Sequence, residues 1–211
     1  MDKDRPTIEI KKHGPYKVSG IKNLKNSAGK TINSNEVMYL CKCGSSKNMP
    51  YCDGTHLKIG LSDEKEPDRV PDKLDTYKGR NINIHDNSGV CSHRGHCTGN
   101  LPSVFKSTGE PWIDPDAASV DEIARVIEMC PSGALSYTKD GILHKDQDRK
   151  PEITVSKDGP YEVIGGPELI DPYSSRPESR EHYTLCRCGH SKNKPFCDGQ
   201  HQKIKFRDPK N

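Results

Sequence analysis

The stretch CKCGSSKNMPYCDGTH occupies residues 41–56, and CRCGHSKNKPFCDGQH at residues 186–201 repeats its three cysteines and one histidine at identical spacing. Thiolate sulfur and imidazole nitrogen bind zinc, copper and iron–sulfur centres, and four of them can complete a coordination set. Two such sets in one chain indicate metal chemistry rather than a conventional catalytic cleft. The eight candidate ligands are Cys41, Cys43, Cys52, His56, Cys186, Cys188, Cys197 and His201.

The repeat extends well beyond these ligands. Residues 8–61 align without a gap with residues 153–206, at a constant offset of 145 residues (186 − 41). The shared offset indicates duplication of a whole folding unit. In each copy, alternating β-prone residues and a Gly-Pro turn predict short strands, and Asp-Gly after the third cysteine predicts a helix start.

The composition leaves little material for an apolar core. Of 211 residues, 30% are hydrophobic, 6% aromatic and 30% charged, so metal binding is expected to contribute folding energy. Disulfides are the weaker alternative, because nine cysteines cannot all be paired. The net charge of +3 arises from interspersed acids and bases, which indicates a solvated surface and no nucleic-acid partner.

The N-terminal sequence MDKDRPTIEIKK has no apolar run of the kind found in signal peptides. No window approaches the roughly 20 apolar residues that a membrane helix needs. Reduced thiols without an export signal predict a cytoplasmic protein with no membrane association.

Spacing alone leaves two kinds of metal site open. The Cys-x-Cys pair suits two bonds to one metal atom, whereas the distant cysteine and histidine suit either a second metal atom or the other half of one tetrahedron. Three cysteines and a histidine form a common structural zinc set, although zinc ligand pairs usually have two to four intervening residues. A structural zinc-binding interaction module is therefore one alternative.

The residues between the ligands resemble the mitoNEET-like CDGSH iron–sulfur family, whose pattern is C-x-C-x2-[ST]-x3-P-x-C-D-G-[SAT]-H. Ser46 and Ser191 fill the hydroxyl position, Pro50 and Pro195 fill the proline position, and only Gln200 departs from the pattern. The resemblance implies two 2Fe–2S clusters, each held by the three cysteines and one histidine of a copy. It also implies a β-rich cap that pairs with a second copy.

Single-motif members of that family form two-fold dimers, so two motifs in one chain imply a monomer with an internal pseudo-two-fold axis. The expected fold class is a β-rich α+β protein, with two CDGSH modules as an intramolecular pseudo-dimer and an inserted small ferredoxin-like domain. The expected divisions are module 1 at 1–61, a linker at 62–75, the ferredoxin-like domain at 76–144, a linker at 145–152, and module 2 at 153–211.

Three further cysteines lie between the copies, at Cys91, Cys97 and Cys130. They match the first, third and fourth cysteines of the bacterial ferredoxin run C-x2-C-x2-C with a distant Cys-Pro. Arg94 takes the second place and cannot be an ordinary iron ligand. With LPSVF and CPSGAL nearby, the segment 76–144 resembles the divergent single-cluster ferredoxins.

Three thiolates fit a 3Fe–4S cluster directly. A 4Fe–4S cluster, the type commonly described for that family, needs His93, His96 or solvent as its fourth ligand. The type of the middle cluster therefore stays open between these two.

The favoured function is single-electron transfer to a redox partner protein, because the sequence has no nucleotide fingerprint G-x-G-x-x-G and no catalytic triad or carboxylate pair. Cluster storage or transfer to an apo iron–sulfur acceptor, with redox or pH sensing, is the alternative. The chain is not expected to be an enzyme.

Acid should loosen the repeated sites, because imidazole must be unprotonated to bind a metal. We expect the visible iron–sulfur bands to be lost faster at about pH 5.5 than at about pH 8, on either side of the ordinary histidine pKa. A spectrophotometric titration measures this, and equal retention at the two pH values would contradict a role for His56 and His201 as ligands.

Overall fold

The computed structural model describes residues 5–211, whose twelve strands form three four-stranded sheets accompanied by four short helices. The described chain is therefore β-rich, as expected, and compatible with the α+β class. None of the helices within this range is long and apolar enough to cross a bilayer.

Each repeat contributes four strands and one helix. The first repeat forms β1 (Thr7–Ile10), β2 (Tyr16–Ser19), β3 (Asn23–Asn26), β4 (Val37–Leu40) and α1 (Thr55–Ile59). The middle segment forms β5 (Asp75–Lys78), β6 (Asn83–Asp86), α2 (His96–Asn100), α3 (Val120–Glu128), β7 (Leu135–Lys139) and β8 (Ile142–His144). The second repeat forms β9 (Glu152–Val155), β10 (Tyr161–Ile164), β11 (Glu168–Ile170), β12 (Tyr183–Leu185) and α4 (Gln200–Lys203).

The two repeats exchange a strand. In the first sheet, of order β11-β1-β2-β4, the neighbours β1, β2 and β4 pair antiparallel, while β11 of the second repeat adds in parallel with Leu169 opposite Ile8. In the second sheet, of order β12-β10-β9-β3, strand β3 of the first repeat adds in parallel with Leu24 opposite Ile153. Neither sheet is therefore completed by its own repeat.

One apolar core lies between these two sheets. Side chains alternate along a strand, so in β1, β2, β9 and β10 one face is buried while the other is more exposed. The buried set draws on both repeats and includes Ile8, Ile10, Val18, Leu24, Met38, Leu40, Ile153, Val155, Val163 and Leu185.

Two tyrosines at equivalent positions tie the repeats together at the centre of this core. The rings of Tyr16 and Tyr161 meet edge to face at 6.1 Å between centroids. The Tyr16 hydroxyl donates to the carbonyl of Cys186 at 2.8 Å, and the Tyr161 hydroxyl donates to the carbonyl of Cys41 at 2.9 Å. Burial raises the pKa of both phenols well above the ordinary value, so both remain hydrogen-bond donors.

The middle segment has its own antiparallel sheet, of order β5-β6-β7-β8, with α3 packed on β7. Ser119 followed by Glu122 three residues later predicts a capping box, and it is confirmed, since the two side chains each bond to the other's backbone N–H. The sequence around Asp140-Gly141 predicts a hairpin, and β7 and β8 form it. The alternation of Asn81-Ile82-Asn83-Ile84 predicts a strand at 81–84, which is two residues too early, and no pattern predicts β3, β5, β11 or α2.

Replacing Tyr16 or Tyr161 with phenylalanine should lower the free energy of unfolding by about 1–3 kcal/mol each, because a buried carbonyl loses its donor while the ring is kept. Thermal unfolding of the metal-loaded protein measures the effect. Tyr39→Phe, at an exposed position, is the matched control and should change little. Equal midpoints for all three variants would contradict the role assigned to the two hydroxyls.

Candidate metal centres

The first repeated site begins where β4 ends. The backbone N–H of Cys41 donates to the Pro50 carbonyl and that of Cys52 donates to the Tyr39 carbonyl, both at 2.8 Å, so the loop folds back on the strand. This brings the Sγ atoms of Cys41 and Cys43 to 3.6 Å, and Cys52 Sγ to 3.3 Å from His56 Nδ1.

The second site repeats this geometry. Cys186 Sγ and Cys188 Sγ are 3.8 Å apart, and Cys197 Sγ lies 3.3 Å from His201 Nδ1. Two ligands on one tetrahedral metal atom lie about 3.8 Å apart when both are sulfur, with bonds of about 2.3 Å, and about 3.6 Å apart when one is a nitrogen at about 2.0–2.1 Å. Each of the four pairs therefore has a spacing that fits two ligands of one metal atom.

The pairs do not merge into a mononuclear site. A single tetrahedral ion requires all four ligands to converge on one point. Within residues 5–211, no group of three or more His, Cys, Asp or Glu side chains converges in that way. The four ligands of each repeat therefore lie in this structure as two pairs.

The pKa values of these ligands are consistent with a bound cation. Burial raises the pKa of Cys52 and Cys197, so their thiolates are costly without a metal beside them. Hydrogen bonds from the neighbouring thiols lower the pKa of Cys41 and of Cys186 to about 6. Burial lowers the pKa of His201 and keeps its ring in the neutral form that can bind a metal.

The aspartate after the third cysteine braces each loop. Asp53 accepts hydrogen bonds from the backbone N–H groups of Lys47 at 2.8 Å and Thr55 at 3.0 Å. The interaction with the Thr55 side chain, followed by these backbone bonds, lowers the pKa of Asp53 to about 2. Asp198 accepts from the equivalent backbone groups of Lys192 and Gln200. This carboxylate thus fastens the loop after the Cys-x-Cys pair to the start of the helix that carries the histidine.

The residue between the paired cysteines forms a buried ion pair that the sequence analysis missed. Lys42 Nζ lies 2.6 Å from Asp63 Oδ1, and in the second repeat Arg187 pairs with Asp208, all four side chains being buried. The repeat spacing could have identified these ion pairs, because Asp63 and Asp208 are separated by the same 145 residues as the two copies (208 − 63).

The two repeated sites adjoin each other. Cys43 and Cys188 form an antiparallel β-bridge. The glycines that follow them make this approach possible, since a Cβ on Gly44 would lie 2.5 Å from the Cys188 carbonyl oxygen and a Cβ on Gly189 equally close to that of Cys43. The close contact explains why both copies need glycine after the Cys-x-Cys pair.

The two sites differ in their exposure to solvent. His56 is half-buried, and the next residue, Leu57, is 79% exposed. The equivalent His201 is only 4% exposed. The loop of the middle segment accounts for the difference: the His93 ring lies against Gly199, and the His93 carbonyl accepts a hydrogen bond from Gln202 Nε2 at 2.7 Å.

The three middle cysteines line one cavity, as their grouping predicts. His93 and His96 line it too, although the His93 ring also contacts the second repeat. Arg94 Nε lies 3.4 Å from Glu162 Oε1, so its charge faces the second repeat. Cys91 and Cys130 also pack against the core shared by the repeats.

The cavity contains one residue that the sequence analysis did not consider. Asp86 lines it and is 3% exposed. Burial raises its pKa to about 6, although the Ser88 hydroxyl donates to Oδ2 at 2.6 Å and opposes this shift. The available signal was its position two residues after Ile84 on the buried face of β6.

Two family models match this chain. The family model described as iron-binding zinc finger, CDGSH type, matches residues 13–57 and 158–202, and the model described as divergent 4Fe-4S mono-cluster matches residues 77–140. Two proteins called uncharacterized protein YjdI, from Escherichia coli K12 and O157:H7, are each 39% identical over 61 residues, which is 29% of this chain and 80% of theirs. No solved structure matches.

Substituting alanine for Gly199 should destabilise the protein more than the same change at Gly54. Both glycines have left-handed backbone, which costs alanine roughly 1–2 kcal/mol, but only at Gly199 would the new Cβ meet His93, at 2.8 Å from Cδ2. His93→Ala should therefore rescue part of the loss at 199 and none at 54. Thermal unfolding of the four variants measures this, and equal losses at the two glycines would contradict the contact.

Proposed function

Since this chain belongs to the CDGSH-type iron-binding family, we propose that it is a single-electron carrier with three iron–sulfur sites. It would hold a 2Fe–2S cluster in each repeat and a 3Fe–4S or 4Fe–4S cluster in the middle segment. Such clusters supply one-electron chemistry at potentials set by their ligands, hydrogen bonds and exposure. The ligands would be the three cysteines and one histidine of each repeat, and Cys91, Cys97 and Cys130 in the middle.

The contact between neighbouring sites is the observation that carries this proposal. Cys43 and Cys188 touch through their backbones, and the loop between Cys91 and Cys97 lies against Gly199 beside His201. Direct contacts thus connect the middle site to the second site, and the second site to the first. A carrier with several centres benefits from sites that adjoin one another, whereas separate structural metals do not need this.

Exposure gives the sites different roles in this proposal. The second site lies inside, where the buried His201 is shielded from water by the middle segment. The first site, with the half-buried His56 beside the exposed Leu57, is where a redox partner protein would reach the chain.

The two repeats would act as an intramolecular pseudo-dimer in a monomeric protein, with residues 76–144 as an inserted ferredoxin-like domain. The reciprocal addition of β3 and β11 and the reciprocal tyrosine bonds support this arrangement. The segment 62–75 would be a linker held on the second repeat, because the Glu66 N–H donates to the Lys192 carbonyl at 2.9 Å and Asp68 pairs with Lys192.

Cluster donation to an apo iron–sulfur acceptor is a second candidate, and the exposure of His56 favours it for the first site alone. Incubating the loaded protein with an apo-ferredoxin separates the two functions. Reversible reduction with retention of iron supports the carrier, whereas transfer of iron and sulfide supports the donor. The partly open first site should be the one that is lost in the second case.

Metal analysis tests the iron–sulfur assignment itself. We expect about eight sulfides per chain, with about seven irons for a 3Fe–4S middle cluster or about eight for a 4Fe–4S cluster. Electron paramagnetic resonance of the oxidised protein distinguishes these, because an oxidised 3Fe–4S cluster is paramagnetic. A colourless, sulfide-free protein loaded with zinc would refute the proposal and support the interaction module.

A further inference from the structure

Asp86 lies at the end of β6, where the chain turns towards the cysteine-lined cavity. Strand β6 alternates half-buried and buried residues, so Asp86 shares the inner face with Ile84. In the antiparallel pairing with β7 it stands opposite Leu135, a few residues after Cys130. Asp86 and Cys130 both line the cavity that begins at this edge of the sheet.

The carboxylate is buried without a cation. Asp86 is 3% exposed, and the Ser88 hydroxyl, at 2.6 Å from Oδ2, is the hydrogen-bond donor to its side chain. The two other buried aspartates described above, Asp63 and Asp208, each pair with a buried lysine or arginine. Among the described residues, Asp86 forms no such ion pair. Buried charges in proteins are as a rule paired or bound to a metal, so this carboxylate calls for a positive partner.

The partner that the surroundings can offer is iron. Asp86 lines the same cavity as Cys91, Cys97 and Cys130. It also lines the adjoining, wider opening together with Cys91 and Cys97. Carboxylate oxygen is a common metal ligand, although a harder one than thiolate.

We propose that the Asp86 carboxylate is the fourth protein ligand of the middle cluster, which is then a 4Fe–4S cluster bound by Cys91, Cys97, Cys130 and one aspartate. This rests on the proposed iron–sulfur function of the middle segment. In this assignment the fourth ligand is Asp86, and not His93, His96 or solvent. Since oxygen is the harder ligand, the iron at Asp86 is held less firmly than the three at cysteine.

The competing residues have a weaker claim in the structure. His93 is exposed, and its ring lies against Gly199 of the second repeat. His96 lines the cavity but is half-buried, so water can satisfy its ring without a metal. Asp86, by contrast, is a buried carboxylate that lines the cavity and has no lysine or arginine paired with it among the described residues.

The test uses the full chain, reconstituted with iron and sulfide without oxygen and measured by iron content and electron paramagnetic resonance. The unaltered protein should contain about eight irons and no oxidised 3Fe–4S signal. Asp86→Ala and Asp86→Asn should each contain about seven irons and show that signal. Asp86→Cys should keep about eight, because thiolate replaces the carboxylate at the same place.

Two variants serve as matched controls. Asp75 stands opposite Asp86 across β5 and β6 with a side chain that is 48% exposed, so Asp75→Asn removes the same charge from the same sheet without touching the cavity. His96→Ala removes the competing ligand. Both should keep about eight irons, and circular dichroism with intact 2Fe–2S bands shows that each variant has folded.

The outcomes separate this inference from the proposed function. Eight irons in both Asp86→Ala and Asp86→Asn, or loss of one iron in His96→Ala, would overturn the ligand assignment. A 3Fe–4S signal with seven irons in the unaltered protein would overturn it too, and would leave the three-site carrier intact. Absence of iron and sulfide from every form would refute the carrier itself. If Asp86→Ala fails to fold, the comparison of Asp86→Asn with Asp86→Cys decides.

Discussion

The reciprocal addition of one strand from each repeat to the sheet of the other is the constraint on which the structure depends. Strands β3 and β11 complete sheets that their own repeats leave open, and their Leu24 and Leu169 pack into the shared core or against it. This arrangement allows a chain with 30% hydrophobic residues to build one core from two short halves. It also brings Cys43 against Cys188, so that the two repeated sites meet.

The sequence predicted what depends on local pattern. The ligand sets, the strands β1, β2, β9 and β10, the capped helix α3 and the β7–β8 hairpin all follow from spacing, alternation or turn chemistry. The strands β3 and β11 were missed because each is short and has few apolar residues. Their stability comes from parallel pairing with a strand more than a hundred residues away, which no local pattern records.

The residues that support the sites were harder to predict than the ligands. Asp63 and Asp208 follow their basic partners by 21 residues (63 − 42), in segments whose charges suggest a solvated linker or tail. Asp86 has no motif around it, and its interest comes from burial beside cysteines distant in sequence. In each case nothing in the local sequence distinguishes the acidic residue from a surface residue. Its importance comes from its burial in the fold, because a buried charge is costly without a partner.

The two repeated sites differ in their exposure to solvent, and this difference affects how such a protein can diversify. In an assembly of identical subunits, every substitution appears twice and the two halves must tolerate it together. Here the copies are joined in one chain. Substitutions can therefore change the more exposed first site, for example to bind a different partner, while the second site stays buried. Because the two copies are parts of one chain, each can differ from the other, and Gln200, next to the buried His201, stands where the first copy has Thr55.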